Sequence, residues 1–385
     1  MRQVYLLAVI LVVFIPQVSR AQTSPMAQSY LSRGNARYEK GDLDGAMSDF
    51  AAALAFDPRL ATAYVSRGNV RYAKKDLDGA IADFNTAIEV DPRSADAYNS
   101  RGLARQAVGD LGGAAADFDK ALQIQPRAAG AFFNRGNLLA AKQDLDAAIA
   151  DYGRAIAISP RMATAYVNRG AAKCKKGDLD GAIADLDRAL ALNPRLAEAY
   201  VNRAVARFKK GDVQGAGSDS ARAIEINDRD AEAHYNLGTV FYEQKRLDES
   251  IAQFSIAIEI SPDLAPAYLT RGLARSNKKE LRLAIDDFTR GIELDPGVAV
   301  AYNNRGNALM ATGDTEAALS DYNKAIEIDP YSPLAYTNRA LLLLLQGKIT
   351  DAEADFDRAI NTAGDARSAI EEHISRIRHF AAVRK

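Results

Sequence analysis

The sequence contains few of the residues from which metal sites and disulfides are built. Its 385 residues include one cysteine, Cys174, and three histidines, His234, His373 and His379. A single cysteine excludes an intramolecular disulfide and a zinc site built from cysteines. The last two histidines are six residues apart, a spacing that does not place both on one face of a helix. The sequence therefore predicts no metal ion and no other cofactor.

Tryptophan is absent, and the positive and negative charges are nearly balanced. Lysine and arginine number 49 and aspartate and glutamate number 50, which gives a net charge of −1. Proteins that bind DNA or RNA usually carry a basic excess, so we expect no nucleic-acid partner. The sequence also lacks a glycine-rich phosphate-binding loop and a recognisable catalytic grouping of side chains, so it predicts a protein that is not an enzyme.

Long apolar runs are absent except at the N-terminus. Arg2 precedes an unbroken apolar run, Val4 to Ile15, and Ser19 and Ala21 place small residues at the two positions that a signal peptidase reads. The run is shorter than the roughly 20 residues needed to cross a bilayer. We therefore predict a signal peptide over residues 1–21 and export of the protein, either to the periplasm or as a secreted protein. The alternative is an uncleaved membrane anchor.

From residue 27 to residue 366 the chain repeats with a period of 34 residues and no insertion. An aromatic residue marks each repeat, and a histidine replaces it only in repeat seven; the column reads Tyr30, Tyr64, Tyr98, Phe132, Tyr166, Tyr200, His234, Tyr268, Tyr302 and Tyr336. The residue four positions later is glycine, except for Ala204 in repeat six and Ala340 in repeat ten. Ten copies in phase predict an array of small structural units, each of which buries its apolar face against its neighbours.

Each repeat is predicted to form two helices. In repeat two, Ala61 to Lys75 forms the first helix, and a short turn follows, with Asp78 as the N-cap of the second helix. Ala80 and Phe84 begin an apolar stripe at helical spacing on that second helix. Pro92 ends the helix, because proline has no N–H donor and clashes with the preceding turn.

The period and the pattern resemble the tetratricopeptide repeat family, whose signature is W-x2-L-G-x2-Y…A-x3-F…P over 34 residues. Repeat five reads Tyr166-x2-Arg169-Gly170-x2-Lys173, then Ala182-x3-Leu186, then Pro194. The resemblance implies an all-α fold, a right-handed superhelical solenoid of helix-turn-helix repeats. In that family the first helices line a concave groove, which often holds a peptide or a partner protein. On this basis residues 22–26 are a short lead, residues 27–366 are ten repeats, and residues 367–385 are a capping helix.

The C-terminal segment is predicted to be an amphipathic helix. Ile370, Ile374 and Ile377 share one face, which can cover the exposed end of the array. The other face is basic and includes Arg376 and Arg378. The alternative is a helix that binds a membrane surface. We therefore expect membrane contact only through this helix or through an uncleaved N-terminus.

One column departs from the family pattern. The leucine that normally precedes the glycine is an arginine in nine repeats: Arg33, Arg67, Arg101, Arg135, Arg169, Arg203, Arg271, Arg305 and Arg339. The same nine repeats carry an aspartate on the second helix: Asp49, Asp83, Asp117, Asp151, Asp185, Asp219, Asp287, Asp321 and Asp355. Repeat seven has Leu237 and Gln253 instead, so the two changes occur together. We predict a partly buried Arg–Asp pair within a repeat or between neighbours; the alternative is a run of arginines that binds an anionic ligand.

A further column, two residues after the aromatic position, carries a short polar side chain in every repeat. Its asparagines are the predicted peptide-binding residues: Asn134, Asn168, Asn202, Asn236, Asn304 and Asn338. An asparagine offers both a donor and an acceptor, so it can pair with the main chain of an extended peptide. The column resembles the asparagine ladder of O-linked N-acetylglucosamine transferases, in which such residues hold the peptide main chain. The alternative is a solvated face, or hydrogen bonds between helices.

These features together predict a non-catalytic scaffold or adaptor that binds an extended peptide or a partner protein in the concave groove. The polar amides and hydroxyls of the groove column favour this function. The alternative function is a structural solenoid that spaces or supports a cell-envelope assembly through its convex face and its ends. Repeat folds carry many functions, so the fold alone does not decide between them.

The first testable prediction concerns export. We expect protein recovered from the non-cytoplasmic fraction to begin at Gln22, and N-terminal sequencing checks this. Ala21→Arg is the control, because it removes the small residue next to the cut and should leave the precursor intact. An intact Met1 on the natural sequence in the membrane fraction would contradict cleavage and favour the anchor.

Overall fold

The computed structural model describes the backbone of residues 24–383 and the side chains of residues 24–378. The predicted signal peptide, residues 1–21, lies outside the described residues, as do Gln22 and Thr23. Every regular element in the described range is a helix, and the helices come in pairs with the period of the sequence. The predicted all-α fold of helix-turn-helix repeats is therefore confirmed.

Each of the ten repeats supplies two α-helices, and one more helix follows the last repeat. The first helices, α1 to α19 by odd numbers, are Pro25–Glu39, Ala61–Ala73, Ala95–Ala107, Ala129–Ala141, Ala163–Lys176, Ala197–Lys209, Ala231–Glu243, Ala265–Asn277, Ala299–Thr312 and Pro333–Leu345. The second helices, α2 to α20 by even numbers, are Leu43–Phe56, Leu77–Val90, Leu111–Ile124, Leu145–Ile158, Leu179–Leu192, Val213–Ile226, Leu247–Ile260, Leu281–Leu294, Thr315–Ile328 and Ile349–Thr362. A short 3-10 turn, Gly364–Ala366, leads into α21, Arg367–Val383.

The helices group into two compact parts that divide after Pro160. Helices α1 to α8 form the N-terminal part, and α9 to α21 form the C-terminal part. Within each part the two helices of a pair pack together, and the second helix also packs on the first helix of the next pair. Consecutive first helices contact each other, whereas consecutive second helices do not make comparable contacts. The first helices therefore lie on the inner side of each part.

An aspartate closes the turn inside most pairs, but it is not the predicted one. Helix α4 begins at Leu77, and its N-cap is Asp76, whose side chain accepts a hydrogen bond from the backbone N–H of Gly79 at 3.0 Å. The prediction of Asp78 as the N-cap is wrong. Asp78 lies in the first turn of α4, where its negative charge faces the positive end of the helix dipole. Both aspartates suit a helix start, so sequence alone did not separate them.

The two helices of a pair approach each other closely at the repeated glycine. A Cβ atom on Gly68 would lie 2.6 Å from the ring of Phe84, which is far inside van der Waals contact. Phe84 is buried on α4, and this position carries a large side chain in every repeat except repeat six, which has Ser220. Repeat ten combines Ala340 with a buried Phe356, so one additional methyl group is accommodated there.

Helix α21 covers the end of the C-terminal part. Its residues Ile370, Ile374 and Ile377 are buried in one cluster with Phe356 of α20 and side chains of α19. Arg378, on the basic face of α21, forms an ion pair with a glutamate of α20. One charge of that face is therefore paired within the chain. Among the described residues, no helix is long and apolar enough to cross a membrane.

Each of the nine predicted Arg–Asp pairs forms within one repeat. Arg169 donates from Nε and Nη2 to the two carboxylate oxygens of Asp185, at 2.8 and 2.6 Å. The same two-point contact recurs in the other eight repeats at 2.5–3.0 Å. All nine aspartates are buried, and each guanidinium also lies over the aromatic ring of its own repeat. The arginine forks are thus engaged by the protein's own carboxylates, which leaves the anion-binding interpretation without support.

The pairs extend into a larger network. In six repeats a second cation, four positions after the arginine, also contacts the aspartate; in repeat five it is Lys173, 2.8 Å from Asp185. Several arginines reach the second helix of the preceding repeat, as when Arg305 Nη1 donates to Thr289 Oγ1 at 3.1 Å. Hydrogen bonding to Asp321 raises the pKa of Arg305 above its ordinary value. The pair therefore joins the helices of one repeat and often ties that repeat to its neighbour.

Repeat seven replaces the arginine–aspartate pair by a contact between a histidine and a glutamine. His234 occupies the aromatic column and is buried, and its Nδ1 lies 2.7 Å from Oε1 of Gln253. Its Nε2 lies 3.1 Å from the carbonyl oxygen of Asp228. Leu237, in the arginine column, brings no charge. The aromatic, arginine and aspartate columns change together here, because an arginine or an aspartate left alone would have no partner. The sequence showed the joint change of arginine and aspartate but did not predict the His–Gln contact.

The second testable prediction concerns the pair in repeat nine, where Arg305 holds Asp321. We expect Arg305→Leu to lower the free energy of unfolding by about 3–5 kcal/mol, because it leaves a buried carboxylate without its cation. Adding Asp321→Gln should restore part of this loss, because it removes the unpaired charge, and repeat seven carries a glutamine opposite a leucine at these two positions. Urea unfolding of the two single variants and the double variant completes the cycle.

The control is Arg169→Leu in repeat five. Lys173 remains within 2.8 Å of Asp185 there, so the loss of stability should be smaller than at Arg305. Strictly additive effects of the two changes in repeat nine would contradict the buried-pair account.

Candidate functional site

The asparagine column lies on the first helices, which form the inner side of each part. All six of its asparagines are half-buried. They are Asn134 on α7, Asn168 on α9, Asn202 on α11, Asn236 on α13, Asn304 on α17 and Asn338 on α19. Each amide is therefore held on a rigid element while part of it remains accessible.

In repeats four and ten the column amide is used inside the protein. Asn134 Nδ2 donates to Asn99 Oδ1 at 3.0 Å, and Asn338 Nδ2 donates to Asn303 Oδ1 at 2.9 Å. Each acceptor lies on the first helix of the preceding repeat. At these two positions the structure has the helix-to-helix hydrogen bond that the sequence analysis gave as the alternative to ligand contact.

Three other asparagines of the column make no side-chain hydrogen bond within the part of the chain that the structure describes: Asn202, Asn236 and Asn304. Asn202 and Asn236 belong to consecutive repeats, and their helices, α11 and α13, contact each other. Asn168 stands at the same register on α9, which contacts α11. Repeats six and seven therefore present two adjacent amides whose donors and acceptors are not engaged by neighbouring side chains.

A second set of asparagines, three residues further along the first helix, serves the core in repeats four and nine. Asn307 Oδ1 accepts a hydrogen bond from the Tyr322 hydroxyl at 2.8 Å, and Asn137 accepts one from Tyr152 at the same distance. Tyrosine replaces phenylalanine in just these two repeats, so a buried hydroxyl is matched by an amide. Burial also raises the pKa of Tyr322. The sequence contained a signal for this contact, because both repeats with a tyrosine at this position also have an asparagine on the first helix.

Beside Asn236 the inner side opens into a pocket that the sequence analysis did not predict. Its volume is about 250 Å³, and it lies between α11 and α13 with α12 at its base. The residues that define it are Ala204, Phe208, Ser220, Tyr235, Asn236 and Val240. The signal in the sequence was the single interruption of the large apolar column on the second helices, at Ser220.

The pocket is lined mostly by apolar groups, and two of its hydroxyls are already engaged. Ser220 donates to the carbonyl oxygen of Ala216, and Thr239 donates to that of Tyr235, both at 2.9 Å. The Tyr235 ring packs against Phe254 with centroids 5.7 Å apart, which fixes one wall. The amide of Asn236 makes no side-chain hydrogen bond among the described residues and is thus available to orient a ligand.

The lone thiol does not add a reactive group to this face. Cys174 is buried on α9, and burial raises the pKa of its thiol, so the nucleophilic thiolate is disfavoured. Within the described side chains, no group of three or more histidine, cysteine, aspartate or glutamate residues could hold a metal ion. The inner side therefore offers hydrogen bonds and apolar area for binding.

Comparison with known families agrees with the repeat architecture. A family model described as "TPR repeat" matches residues 34–75, 68–109, 136–177, 172–211 and 306–347, which together cover just over half of the chain. Two models described as "Tetratricopeptide repeat" match residues 221–265 and 265–297. The chain belongs to the tetratricopeptide repeat family. No match was found among curated proteins.

Solved structures with a similar fold include the APC/C hetero-tetramer Cut9–Hcn1, at 15% identity and a TM-score of 0.58, over 82% of this chain and 76% of that one. YrrB, described as a TPR protein with an unusual peptide-binding site, is 26% identical over 48% of this chain and 95% of its own, with a TM-score of 0.41. MamA is 27% identical over 42% of this chain and 94% of its own, with a TM-score of 0.39. The first of these similarities shows the fold.

The third testable prediction separates the two kinds of asparagine in the column. Asn338→Ala should lower the free energy of unfolding by about 1–3 kcal/mol, because it leaves the buried amide of Asn303 without its partner. Asn202→Ala removes no such bond and should change stability by no more than about 0.5 kcal/mol. Urea unfolding of both variants makes the comparison, and equal losses would contradict it.

Proposed function

We propose that this protein is a non-catalytic adaptor that, after export, binds an extended peptide segment along the inner side of its C-terminal part. The observation that carries the proposal is the pair of adjacent amides, Asn202 and Asn236, next to an apolar pocket on that side. Membership of the tetratricopeptide repeat family supports a protein or peptide as the partner.

The spacing of neighbouring repeats suits an extended main chain. Packed helices lie about 8–10 Å apart, and an extended chain rises about 3.3 Å per residue, so neighbouring column amides would meet roughly every third residue. An asparagine amide can donate to a peptide carbonyl and accept from a peptide N–H. The amides would therefore bind main chain without selecting the peptide's sequence.

The structural alternative has support of its own in repeats four and ten. There the amides of Asn134 and Asn338 join neighbouring first helices, so those positions contribute to the array itself. A solenoid that supports an assembly through its convex face would need only such contacts. The adjacent, unengaged amides of repeats six and seven favour ligand binding for that region.

The fourth testable prediction concerns binding. Peptides selected from a displayed random library against the purified protein should bind the natural sequence and lose affinity roughly five- to hundredfold for Asn202→Ala/Asn236→Ala, since each hydrogen bond contributes about 0.5–1.5 kcal/mol. N-methylation of the peptide backbone at the contacted residues should weaken binding more than exchange of the neighbouring side chains. Fluorescence anisotropy titration measures both effects.

The matched control is Thr270→Ala, in the same column of repeat eight. The Thr270 hydroxyl donates to the carbonyl oxygen of Pro266 in its own helix at 2.8 Å, so its removal should leave peptide affinity unchanged. Equal affinities of the natural protein and a folded double asparagine variant would place binding elsewhere. A selection that yields no peptide would contradict the proposal as a whole.

A further inference from the structure

One position on the second helices is large and buried in every repeat except the sixth. It carries an aromatic or leucine side chain that packs between the helices of its own repeat and the next first helix; the column is Phe50, Phe84, Phe118, Tyr152, Leu186, Phe254, Phe288, Tyr322 and Phe356. In repeat six the residue is Ser220, which is fully buried yet fills little of that space. The pocket of about 250 Å³ lies at this place.

The pocket has the surroundings that hold an aromatic ring elsewhere in the chain. Phe208 of α11 and Val240 of α13 line it, and in repeat two the equivalent side chain, Phe84, packs with Tyr72 and Ala104 at the matching positions. An apolar cavity of about 150 Å³ is sufficient to bind benzene. The pocket is therefore large enough for one phenyl ring or one branched aliphatic side chain.

The pocket is open toward the inner side, where a ligand would arrive. Phe208, Tyr235 and Asn236 are only half-buried, whereas Ala204, Ala216 and Ser220 at its base are buried. Because the Ser220 hydroxyl donates to its own helix, the base presents an apolar surface to an incoming side chain. The half-buried residues form a rim at which the Asn236 amide stands.

We propose that this pocket binds one aromatic or branched aliphatic side chain of an extended peptide, which takes the place of the phenylalanine missing from repeat six. The proposal rests on the proposed function and gives it a specificity: the Asn202 and Asn236 amides hold the main chain, and the pocket selects one side chain. Burial of a side chain of this size should strengthen peptide binding roughly ten- to hundredfold over alanine at the same position.

The test uses a small probe that does not depend on the asparagine column. N-acetyl-L-phenylalanine methylamide, titrated into the purified protein and followed by NMR, should shift the methyl signals of Val205, Thr239 and Val240 in a saturable way. Nuclear Overhauser contacts from its phenyl protons to these methyl groups should follow. N-acetyl-L-alanine methylamide, the control probe, should give no saturable shift. Absence of these contacts, or equal effects of the two probes, would overturn the proposal.

Variants that fill the pocket provide the second arm. Ser220→Phe should weaken the phenylalanine probe at least tenfold, and Ala340 with Phe356 in repeat ten shows that the array accommodates this pair of residues. Ala204→Gly/Ser220→Phe copies the glycine and phenylalanine of the other repeats and replaces the single variant if that one does not fold. Ser218→Phe is the matched control, because Ser218 is exposed on the same helix and should leave probe binding unchanged.

The two proposals can fail separately. In one case the probe binds the natural protein but not Ser220→Phe, and Asn202→Ala/Asn236→Ala has no effect in the peptide titration. That result would support the pocket and contradict the main-chain contact. If selected peptides depend on the two asparagines but not on any apolar residue, and Ser220→Phe binds them unchanged, the pocket proposal is wrong and the proposed function stands.

Discussion

The buried aspartate that nine of the ten repeats carry is the constraint on which the packing depends. A carboxylate at this depth is unfavourable unless a cation and hydrogen-bond donors meet it, and the two-point contact from arginine supplies both. Arginine reaches it from the first helix, so the contact fixes how the two helices of a repeat sit together. A third guanidinium nitrogen often reaches the preceding repeat, as from Arg101 to Asn85 at 2.7 Å. One side chain thus links structure within a repeat to structure between repeats.

This dependence explains why the columns change as sets. Repeat seven lacks the aspartate, and it also lacks the arginine and the tyrosine over which the guanidinium lies in other repeats. The contact between His234 and Gln253 replaces them.

The ion pair also makes stability depend on pH. The hydrogen bond from Arg33 lowers the pKa of Asp49, so this pair stabilises the fold at neutral pH. Its contribution is lost as the pH falls through that lowered pKa.

Sequence alone was sufficient for the helix pairs and indicated which arginine and aspartate columns pair, because both repeat with the period, but it left open whether each pair forms within a repeat or between neighbours. The combination of Arg169 with Asp185 recurs at equivalent positions in nine repeats, so its recurrence within the one chain is itself evidence for a contact. The N-cap was wrong by two residues, since Asp76 and Asp78 have the same chemistry and only the backbone distinguishes them. The state of the Asn134 amide could not be predicted either, because it depends on Asn99 being within 3.0 Å across the helix contact.

The exceptions to the period are concentrated in repeats six and seven, where we propose the binding site. Ala204 and Ser220 interrupt two columns in repeat six, and His234, Leu237 and Gln253 interrupt three in repeat seven. A repeat array gains stability by keeping each copy alike, since each interface is a nearest-neighbour contact. Loss of a large core side chain from one copy forfeits packing that the other nine retain. Departures of this kind at adjacent repeats, beside two unengaged amides, agree with the binding function that we propose for this region.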